Sequence, residues 1–321
     1  MAHELSVQNN RAEMFYYGDR PWHGLGTAVD HALTAAEAIE AASLDWLVEK
    51  REIFFKTQDD SGEAKYDQTK GFATVRTDLN IPLGVVSDKY QPIQNHEAFN
   101  FIDTLVASRD AKFHTAGALF DGAKVWILAK LPGHITVKDD DMVDKYLVLM
   151  NAHNGKSALR CFFSPIRVVC MNTLRQALAS AETTVSIEHT GNVQHKVVEA
   201  RRVLGIANDY FDQIGNVFKV FAGREITDEE FRVYMDNIMP EVSTRSKNIR
   251  EKIERFYHEG AGSELAGHTL WGAYNSISEW TDHARTDYVK QPDRYIDTIN
   301  FGSGAEIKTK AYTEALKLVS G

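Results

Sequence analysis

The residues best equipped for chemistry lie between Asn151 and Arg175, in the segment NAHNGKSALRCFFSPIRVVCMNTLR. Lys156, Arg160, Arg167 and Arg175 occur there without a carboxylate, beside Phe162, Phe163, His153 and Asn172. Cations interleaved with rings suit single-stranded nucleic acid: the cations track phosphates, and the rings stack on bases of any identity. Period-two alternation places Arg160 and Phe162 on one face of a strand, with Leu159, Cys161 and Phe163 on the other. Ser164-Pro165 then reads as a helix start, with serine as cap and proline in the first turn, which sets Arg167 beside Met171. A hairpin with solvated charges and core phenylalanines accounts for the same residues, and both readings stay open.

Charge singles out the same stretch. The chain has 36 basic and 45 acidic residues, net −9, which argues against coating duplex DNA by bulk charge. Residues 151–203 hold seven basic and three acidic residues, and they form the one net-basic block.

Other chemistries find less. Trp22-His23-Gly24-Leu25-Gly26 lacks the third glycine, the preceding strand and the later carboxylate of a dinucleotide site. With Tyr16 and Tyr17, residues Trp22 and His23 read as an irregular arm that docks on its own fold or on a neighbouring subunit. There is no phosphate-cradling Gly-rich loop ending in Gly-Lys-Ser/Thr and no Gly-x-Ser-x-Gly elbow. The 12 histidines form no His-Glu-x-x-His pair. Cys161 and Cys170 read as buried thiols of a reducing cytoplasm. The basic run Arg245 to Arg255 fits the solvated face of an amphipathic helix. Nothing here argues positively for an enzyme, and no cofactor is expected.

The elements that must position these residues read as α+β. A Gly- and aromatic-rich arm covers residues 1–30. An α+β core covers 31–192, with a mixed, mostly antiparallel sheet: β-β-β-α, then hairpins and a helix. A helical region covers 193–321 and either packs on the core or builds a subunit interface. Thr34 with Glu37 forms a capping box, and Thr227 starts a helix with acids in its first turn. The Phe-Asp-Gly at 120–122 and the His-Asn-Gly-Lys at 153–156 read as hairpin turns. No apolar run approaches membrane-spanning length and no secretory leader is visible, so a cytoplasmic protein with no membrane partner is expected.

The stretches GDRPWHGLGTAV, LDWLVEKREI, LGVVSDKYQPIQNHEAF, TAGALFDGAKVWILAKL, SPIRVVCMNTLRQAL and LWGAYNSISEWTDHAR resemble one family. It is the phage/plasmid-like domain-of-unknown-function family, and the resemblance runs from about residue 14 to residue 318. It carries no catalytic residues over. One position departs from the family pattern: an Asp is expected after His153, and Asn154 stands there, which weakens any metal-binding role for that turn. The β-β-β-α order also looks like the core of Rad52-type single-strand annealing proteins, an analogy of fold.

These readings lead to a homo-oligomeric protein that binds single-stranded DNA and anneals it. Lys156, Arg160, Arg167 and Arg175 would contact phosphates, and Phe162 would stack. One alternative is a non-enzymatic phage or plasmid protein that engages a host defence component through its many aromatics. Another is a metal-dependent nuclease built from dispersed His and Asp.

Overall fold

The computed structural model describes residues 5–8, 11–18, 25–58, 61–107, 111–156, 159–167, 172–173, 184–186, 193–285, 298 and 302–320. The chain is α+β. Short strands β1 (Val7–Gln8), β2 (Arg11–Ala12), β3 (Met14–Tyr17) and β4 (Thr27–Val29) come first. Helix α1 (Ala35–Ala42) follows, and the Thr34–Glu37 capping box closes its N-terminus as expected. Strands β5 (Val48–Gln58), β6 (Ala64–Arg76) and β7 (Ile81–Val86) form a three-stranded antiparallel sheet, and α2 spans Asn95–Ala107.

The larger sheet uses β8 (Lys112–Leu119), β9 (Lys124–Lys138), β10 (Asp141–Ala152), β11 (Arg160–Arg167), β12 (Asn172–Thr173) and β13 (Thr184–Ser186). Its order is β12-β11-β10-β9-β8-β3-β4, with β13 also pairing β11. All its pairs are antiparallel except β3 with β4. Alternation sets its two faces. On β9, Val125, Ile127, Ala129 and Leu131 are buried, while Lys124, Trp126, Leu128 and Lys130 are half-buried.

The helices are α3 (Val193–Gly223), α4 (Asp228–Ile238), α5 (Thr244–Glu259), α6 (Ser263–Ala266), α7 (Leu270–Glu279) and α8 (Ser303–Ser320). Thr227 caps α4 with the expected acids behind it. A π-helical turn, Trp280–Ala284, continues α7. Residues 270–282 are all buried, so α7 is the central helix of this part. The helical part packs on the sheet through one continuous apolar cluster that runs from Phe15 and Val125 to Phe218, Trp271 and Tyr312. Trp271 Nε1 donates to Asp141 Oδ2 at 2.8 Å, which ties α7 to the β9–β10 hairpin. Asp141 is buried there, so the run Asp139-Asp140-Asp141 keeps its last carboxylate inside.

Two local expectations change. The arm at Tyr16–Val29 is not irregular throughout: Met14–Tyr17 and Thr27–Val29 are parallel neighbours at the sheet edge. Gly18 and Gly26, both at positive φ, lie between these strands, and Phe15 reaches the core. Ser164-Pro165 does not start a helix. Strand β11 runs through it to Arg167, with Pro165 opposite Lys145. On the other edge of β11, β13 pairs residues 160–162 and β12 pairs 166–167. Proline thus occupies a stretch with no ladder partner on that side among the described residues, where its missing N–H costs nothing.

Candidate nucleic-acid interface

Strand β11 brings the candidate residues to the sheet. Arg160 lies opposite Met150, Phe162 opposite Val148 and Ser164 opposite Tyr146. Met150 and Val148 pair onward with Trp126 and Leu128, which pair with Gly117 and Thr115. Tyr16 lies opposite Thr115. Directly opposed residues share a face. One row therefore runs Tyr16, Thr115, Leu128, Val148, Phe162 across five strands, and the next runs Gly117, Trp126, Met150, Arg160.

This is the outer face. The apolar side chains of α1, α2 and α3 pack on the inner face, where Phe99 stacks on Phe113 at 5.8 Å and Phe211 meets Phe163 at 6.0 Å. At the Trp126 end, Leu5 and Met14 form a small cluster with Leu119 that partly covers Trp126 and Tyr16. Along β10 the residues of this face, Tyr146, Val148 and Met150, are buried, whereas Leu128 and Phe162 on either side are half-buried, and Arg160 is exposed with no ion-pair partner among the described residues. Lys156 is also exposed, in the turn before β11, where its N–H donates to Asn154 Oδ1 at 3.0 Å. Asn154 therefore closes the turn.

The expected set is only partly assembled. Arg160 and Phe162 share the outer face, and Lys156 precedes them. Arg167 ends β11 opposite Val143 and Asn172; it is not on a helix beside Met171. Arg175, Trp22, His23 and Cys170 lie outside the described residues. Tyr16 and Tyr17 belong to β3.

A buried charge network, missed in the sequence, supports the turn. Arg76 at the end of β6 is 1% exposed. Its Nη1 donates to Glu13 Oε2 at 2.7 Å and to the Asp121 carbonyl at 3.2 Å; its Nε donates to Asp78 Oδ1 at 2.8 Å. The guanidinium lies over the Trp46 ring at 4.3 Å. Burial opposes its charge, but the Glu13 and Asp78 carboxylates outweigh burial and hold its pKa above the usual arginine range. Trp46 in turn meets the His153 ring edge-on at 5.4 Å.

Asn95 Nδ2 donates to the Leu44 carbonyl, so Asn95 Oδ1 faces His153 Nε2 at 3.0 Å as an acceptor. That fixes the Nε2–H tautomer of His153. Two glycines allow this packing. A Cβ on Gly84 would meet the Asn154 carbonyl oxygen at 2.4 Å, and one on Gly122 (φ +98°) would meet Trp46 at 2.8 Å. The sequence signal for the network was slight: Glu13 interrupts the apolar run Ala12, Met14, Phe15, and Arg76 has Asp78 two residues on.

A family model described as a domain of unknown function, DUF932, matches residues 82–313, from β7 into α8. The chain belongs to this family. The DUF932 match takes in β8 to β11, Asn95, Asp121 and His153, whereas Glu13, Trp46 and Arg76 precede it. No curated protein and no solved structure matches the chain, so the similarity to Rad52-type annealing proteins gains no support. No helix among the described residues is long and apolar enough to cross a membrane. Among the same residues no group of three His, Cys, Asp or Glu is placed to hold a metal ion.

His153 makes stability depend on pH. Its ring is buried, and burial first, then the Arg76 charge, pushes its pKa down to about 4. The unfolded chain binds this proton near the ordinary value of about 6.5. Stability from this group is therefore complete above about pH 6.5 and is lost as pH falls toward 4. At pH 5 the loss is about 2 kcal/mol. His153→Gln should shrink the drop in urea midpoint between pH 7 and pH 5; an unchanged drop would show that His153 is not responsible.

Proposed function

We propose that this DUF932 protein binds single-stranded DNA across the outer face of the large sheet. The carrying observation is the aromatic and apolar row Tyr16–Leu128–Val148–Phe162 on the face opposite α1, α2 and α3, flanked by the exposed cation Arg160, which has no ion-pair partner among the described residues. Arg160 and Lys156 hold phosphates, and Phe162 offers its ring to a base. Such a platform tolerates any sequence, because every base has a π-face. A modest cation count on an acidic chain fits one strand held by stacking, and it does not fit duplex coating. Annealing would follow if two bound strands are presented by an oligomer.

The test is fluorescence anisotropy with a labelled dT oligonucleotide at two salt concentrations. Native protein should bind, more weakly at higher salt. Arg160→Gln should reduce the dependence of log affinity on log salt by about one unit. Phe162→Leu keeps apolar bulk but removes the ring, and should cost about 1–3 kcal/mol, or roughly 5- to 150-fold in affinity. Unchanged binding in both variants, with circular dichroism intact, would remove these residues from the interface. Native protein that ignores the oligonucleotide at low salt would remove the function.

A further inference from the structure

We propose that two copies of this chain pair along their β5 edge strands, antiparallel about a two-fold axis at Phe54. Among the described residues β5 pairs with β6 alone, so its other edge is open. That edge is closed only at its start: Val48 N–H donates to Gln94 Oε1 at 3.0 Å, and Gln94 Nε2 donates to the Val48 carbonyl at 2.9 Å. From Arg51 to Gln58 no strand or side chain among the described residues closes it.

Strand β7 pairs β6 only over Phe72–Arg76, so residues 54–68 form a two-stranded ribbon. Its rings lie in water: Phe54 is 51% exposed, Phe55 50% and Tyr66 64%. A two-stranded ribbon is marginal by itself. An open edge with exposed rings is a template for another strand.

Charge and register select a second copy as the occupant. A chain of net charge −9 repels itself, but residues 50–70 carry five cations and five carboxylates, so two copies meet here without net repulsion. With the axis at Phe54, each Phe54 faces its counterpart, Ile53 faces Phe55, and Glu52 faces Lys56 of the second copy. Symmetry makes each unlike pair twice. Glu52 and Lys56 have no ion-pair partner in their own chain among the described residues, so both are available. Moving the axis to Ile53 sets Lys50 against Lys56. Moving it between Ile53 and Phe54 sets Arg51 against Lys56. Moving it past Phe54 separates Glu52 from Lys56. Opposed like charges destabilise and opposed unlike charges stabilise a strand pair, so the Phe54-centred register wins. The pairing joins two three-stranded sheets into one of six strands.

Two measurements on the full chain test it. Under mild oxidation, Phe54→Cys should give a disulfide-linked dimer, because opposed Cα atoms about 4.5–5.5 Å apart suit a disulfide. Phe55→Cys stands opposite position 53 and should not cross-link to its own copy; it also controls for Cys161 and Cys170. In light scattering across a concentration series, native protein should reach twice the 36.1 kDa chain mass. Glu52→Lys alone and Lys56→Glu alone should each raise the dimer dissociation constant about tenfold or more, while the double swap should restore it. A monomer at every concentration overturns the proposal. So does a dimer or larger assembly that ignores the single swaps, or equal cross-linking at positions 54 and 55. These outcomes are read without nucleic acid, so they do not depend on the DNA-binding result.

Discussion

Replacing Arg76 by methionine should cost about 3–5 kcal/mol of folding stability, the penalty for stranding a buried partner charge. Glu13 has only 3% of its side chain exposed, and it faces Arg76 through both carboxylate oxygens. Without the guanidinium, Glu13 keeps a desolvated charge. The packing over Trp46 and the bond to the Asp121 carbonyl are lost as well. Asp78 is 43% exposed and turns to water at little cost. The loss approaches the whole stability of many domains, about 5–15 kcal/mol, so the variant should be at least partly unfolded at 37 °C. Urea unfolding followed by tryptophan fluorescence gives the number. Adding Glu13→Gln should recover part of the loss, because a neutral amide is far cheaper to bury. An Arg76→Met variant within 1 kcal/mol of native would mean that the network does not hold the two sheets together.

A second buried pair, in the helical part, should behave similarly. Lys308 Nζ on α8 donates to Asp282 Oδ1 at 2.7 Å, with 0% and 3% of the two side chains exposed. Asp282 sits in the π-helical turn after α7, and Thr281 beside it donates to the Ile277 carbonyl at 2.7 Å. The pair pins the last helix to the centre of the helical part. Lys308→Met keeps the stem's bulk, removes the charge, and should cost about 3–5 kcal/mol. Pairing it with Asp282→Leu should bring most of that back, since apolar replacements of buried ion pairs are often neutral. Calorimetric unfolding of the single and double variants reads both. Equal losses in the two would show that the Asp282–Lys308 ion pair is not what the lysine contributes.

Most elements were legible because periodicity and caps are local. Strand-like runs between turn residues marked the β-β-β-α order and the hairpins, and the Thr34–Glu37 capping box and the Thr227 cap marked helices that form there. Ser164-Pro165 misled because the same dipeptide suits a helix start and a gap in strand pairing. Only the neighbours of β11 decide between them, and the pairing strands β12 and β13 come later in the chain. Arg160 and Phe162 were readable as a shared face because strand parity survives without tertiary information. The remainder of the outer row was not readable, since Tyr16, Leu128 and Phe162 meet only once registers are set. The Arg76 network was invisible for the same reason: its members are supplied by positions 13, 46, 76, 78, 121 and 153, and charge patterning detects only neighbours along the chain.

The most direct measurement of the central claim is photocrosslinking of the native protein to a thymine oligonucleotide carrying 5-iodouracil, with the linked peptides mapped by mass spectrometry. Single-stranded DNA on the outer face of the large sheet should place crosslinks at Phe162 and Tyr16, and these should fade as salt rises. Crosslinks confined to the β5–β6 ribbon or to α4 and α5, or none at low salt, would contradict it.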